Sequence, residues 1–237
     1  MRKVENILVF VFIVLVSFTS KAQQDYTISL LPFNTEKYDE ISPVYHKGDI
    51  VFCSNRKSTI FISYTDERKN LPLFDIYKVE ETKDDWGDPE IFAKAFKSHF
   101  NEGPATFNGR GSEMYFSRNI NTKKKIGNSI DKNNRLGIFY SKYSRRVGGW
   151  SEPTSFQYNN PEFNFLHPSM SEDDKNLYFV SDMDGGYGGT DIYVCEKTGD
   201  SWSEPQNLGP NINTEGDELF PFIHSSGRLY FSSDEHE

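Results

Sequence analysis

Trp202-Ser203-Glu204-Pro205 occurs twice more in varied form, as Trp150-Ser151-Glu152-Pro153 and as Trp86-Gly87-Asp88-Pro89. The chain has three tryptophans, so every one of them opens the same Trp-small-acid-Pro tetrad. The spacings, 64 residues from Trp86 to Trp150 and 52 from Trp150 to Trp202, lie near the period of a propeller blade with loop insertions. An internal repeat of this kind constrains the architecture before any local pattern does.

Four parts recur around each tetrad. The first surrounds a proline: Pro43, Pro104, Pro168 or Pro221. The second is Asp49-Ile50-Val51-Phe52, Glu113-Met114-Tyr115-Phe116, Asn176-Leu177-Tyr178-Phe179 or Arg228-Leu229-Tyr230-Phe231. The third is Asp75-Ile76-Tyr77, Gly137-Ile138-Phe139-Tyr140 or Asp191-Ile192-Tyr193, and the fourth follows the tetrad. Short aromatic and β-branched runs bounded by Gly, Asp, Asn and Pro are strands. Beyond the leader, no run of 11 residues or more carries a 3.6-residue apolar period.

The expectation is an all-β chain: a β-propeller of four-stranded antiparallel blades, with about 3.5 blades present. The units are about 34–92, 93–157, 158–210 and an incomplete 211–237. The prolines belong at strand edges or starts, where no ladder hydrogen bond is lost. Residues 26–31 mirror the fourth strand of later units, and we expect them to complete the last blade. The fourth unit ends after its second strand, which suggests a fragment of a larger ring.

Residues 1–22 read as a secretory signal peptide. Arg2 and Lys3 precede the apolar run Ile7–Phe18, and Ser20-Lys21-Ala22 is a small-x-small cleavage site. The run is about a dozen residues, short of the roughly 20 needed to span a bilayer. The propeller domain is then 23–237, exported to the periplasm or associated with the outer membrane, with no transmembrane segment in the mature chain. Removing residues 1–22 takes away three cations (Arg2, Lys3, Lys21) and one acid (Glu5), so the formal charge moves from −9 to −11. Such a surface argues against nucleic-acid binding. The two cysteines, Cys53 and Cys195, occupy different units and different repeat positions, so we expect buried free thiols.

The run Leu177–Asp182, Gly185-Gly186-Tyr187-Gly188-Gly189-Thr190-Asp191-Ile192-Tyr193, then Trp202–Gly209 and Asn211-Ile212-Asn213-Thr214, resembles the WD40-like propeller repeat. That repeat occurs in TolB-type propellers and in OmpA-family envelope proteins of Bacteroidetes. The resemblance covers about residues 26–237. It implies a module of the cell envelope, in some relatives serving type IX secretion.

The residues themselves carry no catalytic pattern. There is no G-x-S-x-G elbow, H-E-x-x-H or paired-cysteine pattern. The five histidines track the repeat, as do Asp75, Asp88, Glu152, Asp191 and Glu204, and repeated acids suit scaffold roles. We expect no catalytic residue, cofactor or metal. Partner binding is expected on loops of varying length at one point of the repeat, at Lys123, Lys124, Lys125, Arg135, Asp182, Asp184, Tyr187 and Asp191. The expected partner is an envelope protein. A glycan, held by acids and edge aromatics, is the alternative.

Expression through a secretory pathway should yield a mature chain beginning at Gln23, read by intact mass. Retention of residues 1–22 would refute the leader.

Overall fold

The computed structural model describes residues 28–56, 65–66, 71–83, 85–96, 98, 100–120 and 135–236. The chain divides into two compact units, Met1–Leu31 and Pro32–Glu237. Of the first, residues 28–31 are described, and they carry no strand. The expected blade-completing strand over 26–31 is therefore not formed there, and Tyr26 and Thr27 lie outside the described residues. A strand needs a partner ladder, which resemblance to a later repeat does not supply.

The second unit is all-β, a partial propeller with no α-helix among the described residues. A 3₁₀ turn covers Lys94–Phe96. Blade I joins β1 (Glu40–His46), β2 (Asp49–Ser54), β5 (Asp75–Val79) and β6 (Glu90–Ile91), with the small hairpin β3 (Thr65–Asp66) and β4 (Leu71–Pro72) between β2 and β5. Blade II is β7 (Glu102–Phe107), β8 (Glu113–Asn119), β9 (Leu136–Ser144), β10 (Gly149–Trp150) and β11 (Thr154–Ser155). Blade III is β12 (Phe165–Met170), β13 (Asn176–Ser181), β14 (Asp191–Thr198), β15 (Ser201–Trp202) and β16 (Gln206–Asn207). β17 (Glu218–Ile223) and β18 (Leu229–Ser233) begin blade IV, and neighbouring strands within each blade run antiparallel.

The prolines occupy a more specific place than an edge. Each first strand carries a bulge, at Ile41/Val44, Glu102/Ala105, Leu166/Ser169 and Leu219/Phe222. The residue before each proline has positive φ: Ser42 (52°), Gly103 (92°), His167 (52°) and Phe220 (52°). A bulge leaves one residue out of the ladder, so the missing proline N–H costs nothing there.

The blades are fastened by short polar side chains. The N–H groups of Asp39, Asn101, Asn164 and Asp217, each just before a first strand, donate to the side chains of Asn55, Asn119, Asp182 and Asp234. The same set reaches the preceding blade. Asn101 Oδ1 accepts the Phe74 N–H, Asn164 Oδ1 accepts the Leu136 N–H, and Asp217 Oδ1 accepts the Thr190 hydroxyl. Asn159 and Asn213 act as substitute strand residues: each accepts the N–H and donates to the C=O of one third-strand isoleucine, Ile138 or Ile192.

Apolar packing fills the space between blades. Trp150 rests on His46, Phe92 and Phe96 of blade I, with centroids 5.6–6.1 Å away. Trp202 meets Tyr115 and Phe156 of blade II at 5.9 and 6.4 Å. Trp86 meets Phe33 at 6.0 Å. Each tryptophan thus packs backwards along the chain. The next tetrad residue closes the outer hairpin, the N–H of Gly87, Ser151 and Ser203 donating to the carbonyls of Glu80, Lys142 and Glu196. Asp88, Glu152 and Glu204 are exposed. Cys53 and Cys195 are buried and free, and burial, with nearby acids, pushes both thiols up to about 12.

Trp202→Ala should lower the unfolding free energy by about 3–5 kcal/mol in urea titration. Asn213→Ala, which leaves both polar groups of the Ile192 backbone without that partner, should cost about 1–3 kcal/mol. Unchanged midpoints would contradict the packing described.

Candidate functional site

The four first strands meet around one cavity of about 220 Å³. Ser42, Pro43 and Val44 line it from blade I, and Pro104, Ala105 and Thr106 from blade II. His167, Pro168 and Ser169 line it from blade III, and Phe220, Pro221 and Phe222 from blade IV. Three of the four positive-φ residues that precede the repeat prolines, Ser42, His167 and Phe220, are on this wall. Positive φ is costly for a side chain as large as Phe or His, and such strain concentrates at functional positions.

His167 is the wall's one titratable side chain. Its ring stacks on Phe220 with centroids 3.9 Å apart and planes 15° from parallel. Its Nδ1 accepts the Phe220 N–H at 3.3 Å, which puts the ring proton on Nε2. Burial drives its pKa down to about 3. Neighbouring hydroxyls are similarly oriented: Thr106 Oγ1 accepts the Met170 N–H at 3.0 Å, and Ser169 Oγ accepts the Ile223 N–H at 3.1 Å.

Three acids stand at the start of the first strands, and each is held. Glu40 pairs with Arg56 at 2.8 Å and accepts from the Thr35 N–H and hydroxyl. Glu102 lies 3.5 Å from Arg118. Glu218 is fully buried and accepts from the Thr214 N–H, the Thr214 hydroxyl and the Ser233 hydroxyl at 2.9, 2.6 and 2.8 Å. Blade III has Phe165 at the corresponding position, opposite Ser181.

The residues expected to bind a partner fall into groups. Asp182 accepts from the Asn164 N–H and side-chain amide and pairs with Arg135 at 3.3 Å, so it links blades II and III. Asp191 is buried and accepts from the Tyr187 N–H and the Asn207 amide. Asp184 and Tyr187 are exposed on the same loop. Lys123, Lys124 and Lys125 lie outside the described residues, as does His99. Among the described residues no group of three or more His, Cys, Asp and Glu could hold a metal ion.

Sequence reasoning missed His167 and the Glu40, Glu102 and Glu218 set. Aligning the residue before each repeat proline (Ser, Gly, His, Phe) would have singled out His167 as the one titrating group.

No protein-family model matches the chain, and no curated protein is similar to it in sequence. Among solved structures it is similar to TolB from Acinetobacter baumannii, at 16% identity and TM-score 0.41 over 68% of this chain and 32% of that one. It is also similar to a thermostable family-43 glycoside hydrolase, at 9% identity and TM-score 0.48 over 84% and 67%. A puromycin-hydrolysing peptidase from Mycobacterium tuberculosis gives 14% identity and TM-score 0.40 over 83% and 28%. The chain spans about a third of the length of TolB. The fold assignment rests on the chain's own sheets and bulges.

The folded His167 stays neutral down to about pH 3, whereas in the unfolded chain it gains a proton near 6.5. Above 6.5 both states are neutral and the group contributes no pH dependence. Between 6.5 and 3 only the unfolded state takes the proton, so stability falls with falling pH, by up to about 1.4 kcal/mol per unit. His167→Phe should remove that part of the slope in urea unfolding at several pH values.

Proposed function

We propose that the chain is a non-catalytic, exported propeller platform that binds a protein partner in the bacterial cell envelope, with the axial cavity as its recognition site. The observation that carries this reading is the state of the three acids that open the first strands. Glu40, Glu102 and Glu218 each face an arginine or hydrogen-bonding Thr and Ser groups. A hydrolytic acid/base pair needs two carboxyl groups free to exchange protons with substrate and water. The cavity wall instead offers neutral groups. The leader-like residues 1–22 and the WD40-like resemblance support an envelope setting, near the outer membrane and peptidoglycan or the type IX machinery.

A carbohydrate-binding reading is favoured by one observation. Phe222 and Tyr230 are 51% and 52% exposed, with ring centroids 6.5 Å apart, and could stack on a sugar.

Cross-linking the tagged mature chain in envelope extract should yield one stoichiometric partner. Phe222→Asp should reduce its recovery by about 30-fold, the scale of a hot-spot side chain, without shifting the melting temperature. Loss on Asp184→Lys or Tyr187→Ala instead would move recognition to the loop. Glycan-array binding abolished by Phe222→Ala and Tyr230→Ala would favour the sugar reading.

A further inference from the structure

We propose that the axial cavity takes a short, uncharged, proline-containing peptide stretch, held through its carbonyl oxygens by the His167 Nε2–H and the Thr106 and Ser169 hydroxyls. This rests on the cavity being the recognition site. At three side chains the acceptor atom is already engaged by a backbone N–H: His167 Nδ1 by Phe220, Thr106 Oγ1 by Met170 and Ser169 Oγ by Ile223. Each side chain keeps one proton to donate, and among the described residues nothing else accepts it. Ser42 adds a hydroxyl that can act either way.

The rest of the side-chain wall is apolar: four prolines, Val44, Ala105, Phe220 and Phe222. No charged side chain lines it, so a carboxylate ligand would lose its hydration without a cation to offset the loss. The formal charge of −9 opposes an anion further. A sugar brings several hydroxyl protons, and the wall's side chains leave few acceptors for them: Ser42 and one remaining lone pair each on Thr106 and Ser169. A tertiary amide fits better. The X-Pro carbonyl accepts, proline has no N–H to satisfy, and its ring suits the flat His167–Phe220 pair. Aromatic grooves take such stretches because the extended proline conformation is already ordered before binding. The volume, about 220 Å³, is below the roughly 300–1,000 Å³ of drug-sized sites, which suits one piece of an extended chain.

The test is an NMR titration of the mature chain labelled with ¹⁵N-histidine. The probe is acetyl-Ala-Pro-Pro-Ala-amide, with acetyl-Ala-Ala-Ala-Ala-amide and N-acetylglucosamine as comparisons. The free protein should show His167 as the Nε2–H tautomer. The proline peptide should shift that resonance with a Kd on the order of 1 mM, and the comparisons should not. His167→Phe keeps the stack and removes the donor. It should weaken binding roughly 2- to 12-fold, the effect of one neutral hydrogen bond, with folding checked by thermal melt.

If that variant does not fold, the wild-type titration decides alone. An Nδ1–H tautomer, no shift up to about 10 mM, or a larger shift with the sugar overturns the proposal. A partner captured in a Phe222-dependent way, alongside an unresponsive His167, would leave the recognition site standing and defeat only the peptide assignment.

Discussion

One short side chain between two backbones fixes each blade junction. Asn101 and Asn164 anchor the start of a first strand through their backbone N–H and, through the side-chain oxygen, cap the third strand of the blade before. Asp217 does the same through the Thr190 hydroxyl. Strand ends expose N–H groups that must find partners. A two-atom side chain reaches only if the neighbouring blade stands at one distance and one angle. The repeat of this contact at every junction gives the four first strands a common line, and the axial cavity follows from that alignment.

The tryptophans supply apolar area where the Asn and Asp contacts supply direction. Hydrophobic burial is large but non-directional, and by itself it would allow the blades to slide. Trp150 and Trp202 fill the gaps at the outer hairpins while the polar contacts set register near the axis. The acids that open the first strands belong to the same scheme. Glu40 and Glu218 are each held by a threonine four or five residues upstream, so they brace the entry of a first strand.

The sheets were legible in the sequence because aromatic and β-branched runs alternate with Gly, Asp and Pro in a unit that recurs with loops of varying length. The proline positions were legible as well. The bulges were not: Ser42, His167 and Phe220 precede prolines and read as extended, yet all have positive φ. At the loop, Asp182 and Asp191 looked like free ligands because a carboxylate beside glycines has no visible partner in one dimension. Folding brings Asn164 and Arg135 to the first, and Tyr187 and Asn207 to the second. The character of the cavity was hidden for a similar reason. The sequence shows Thr106, Ser169 and His167 as groups that can donate or accept, and only the next blade's backbone N–H, which engages an acceptor atom on each, shows that their protons are left to donate.

The buried cysteines have a consequence for the timing of folding. Thiol oxidation proceeds through the thiolate, and Cys53 and Cys195 have thiols raised to about 12 and are shielded by the blades around them. A Cβ at position 103 would overlap the Cys53 sulfur, so that thiol is enclosed by the neighbouring blade's own backbone. Oxidants therefore reach these sulfurs only before the blades close. In an oxidising compartment, the interval between emergence of the chain and docking of blade II onto blade I becomes the period in which mispairing competes with maturation.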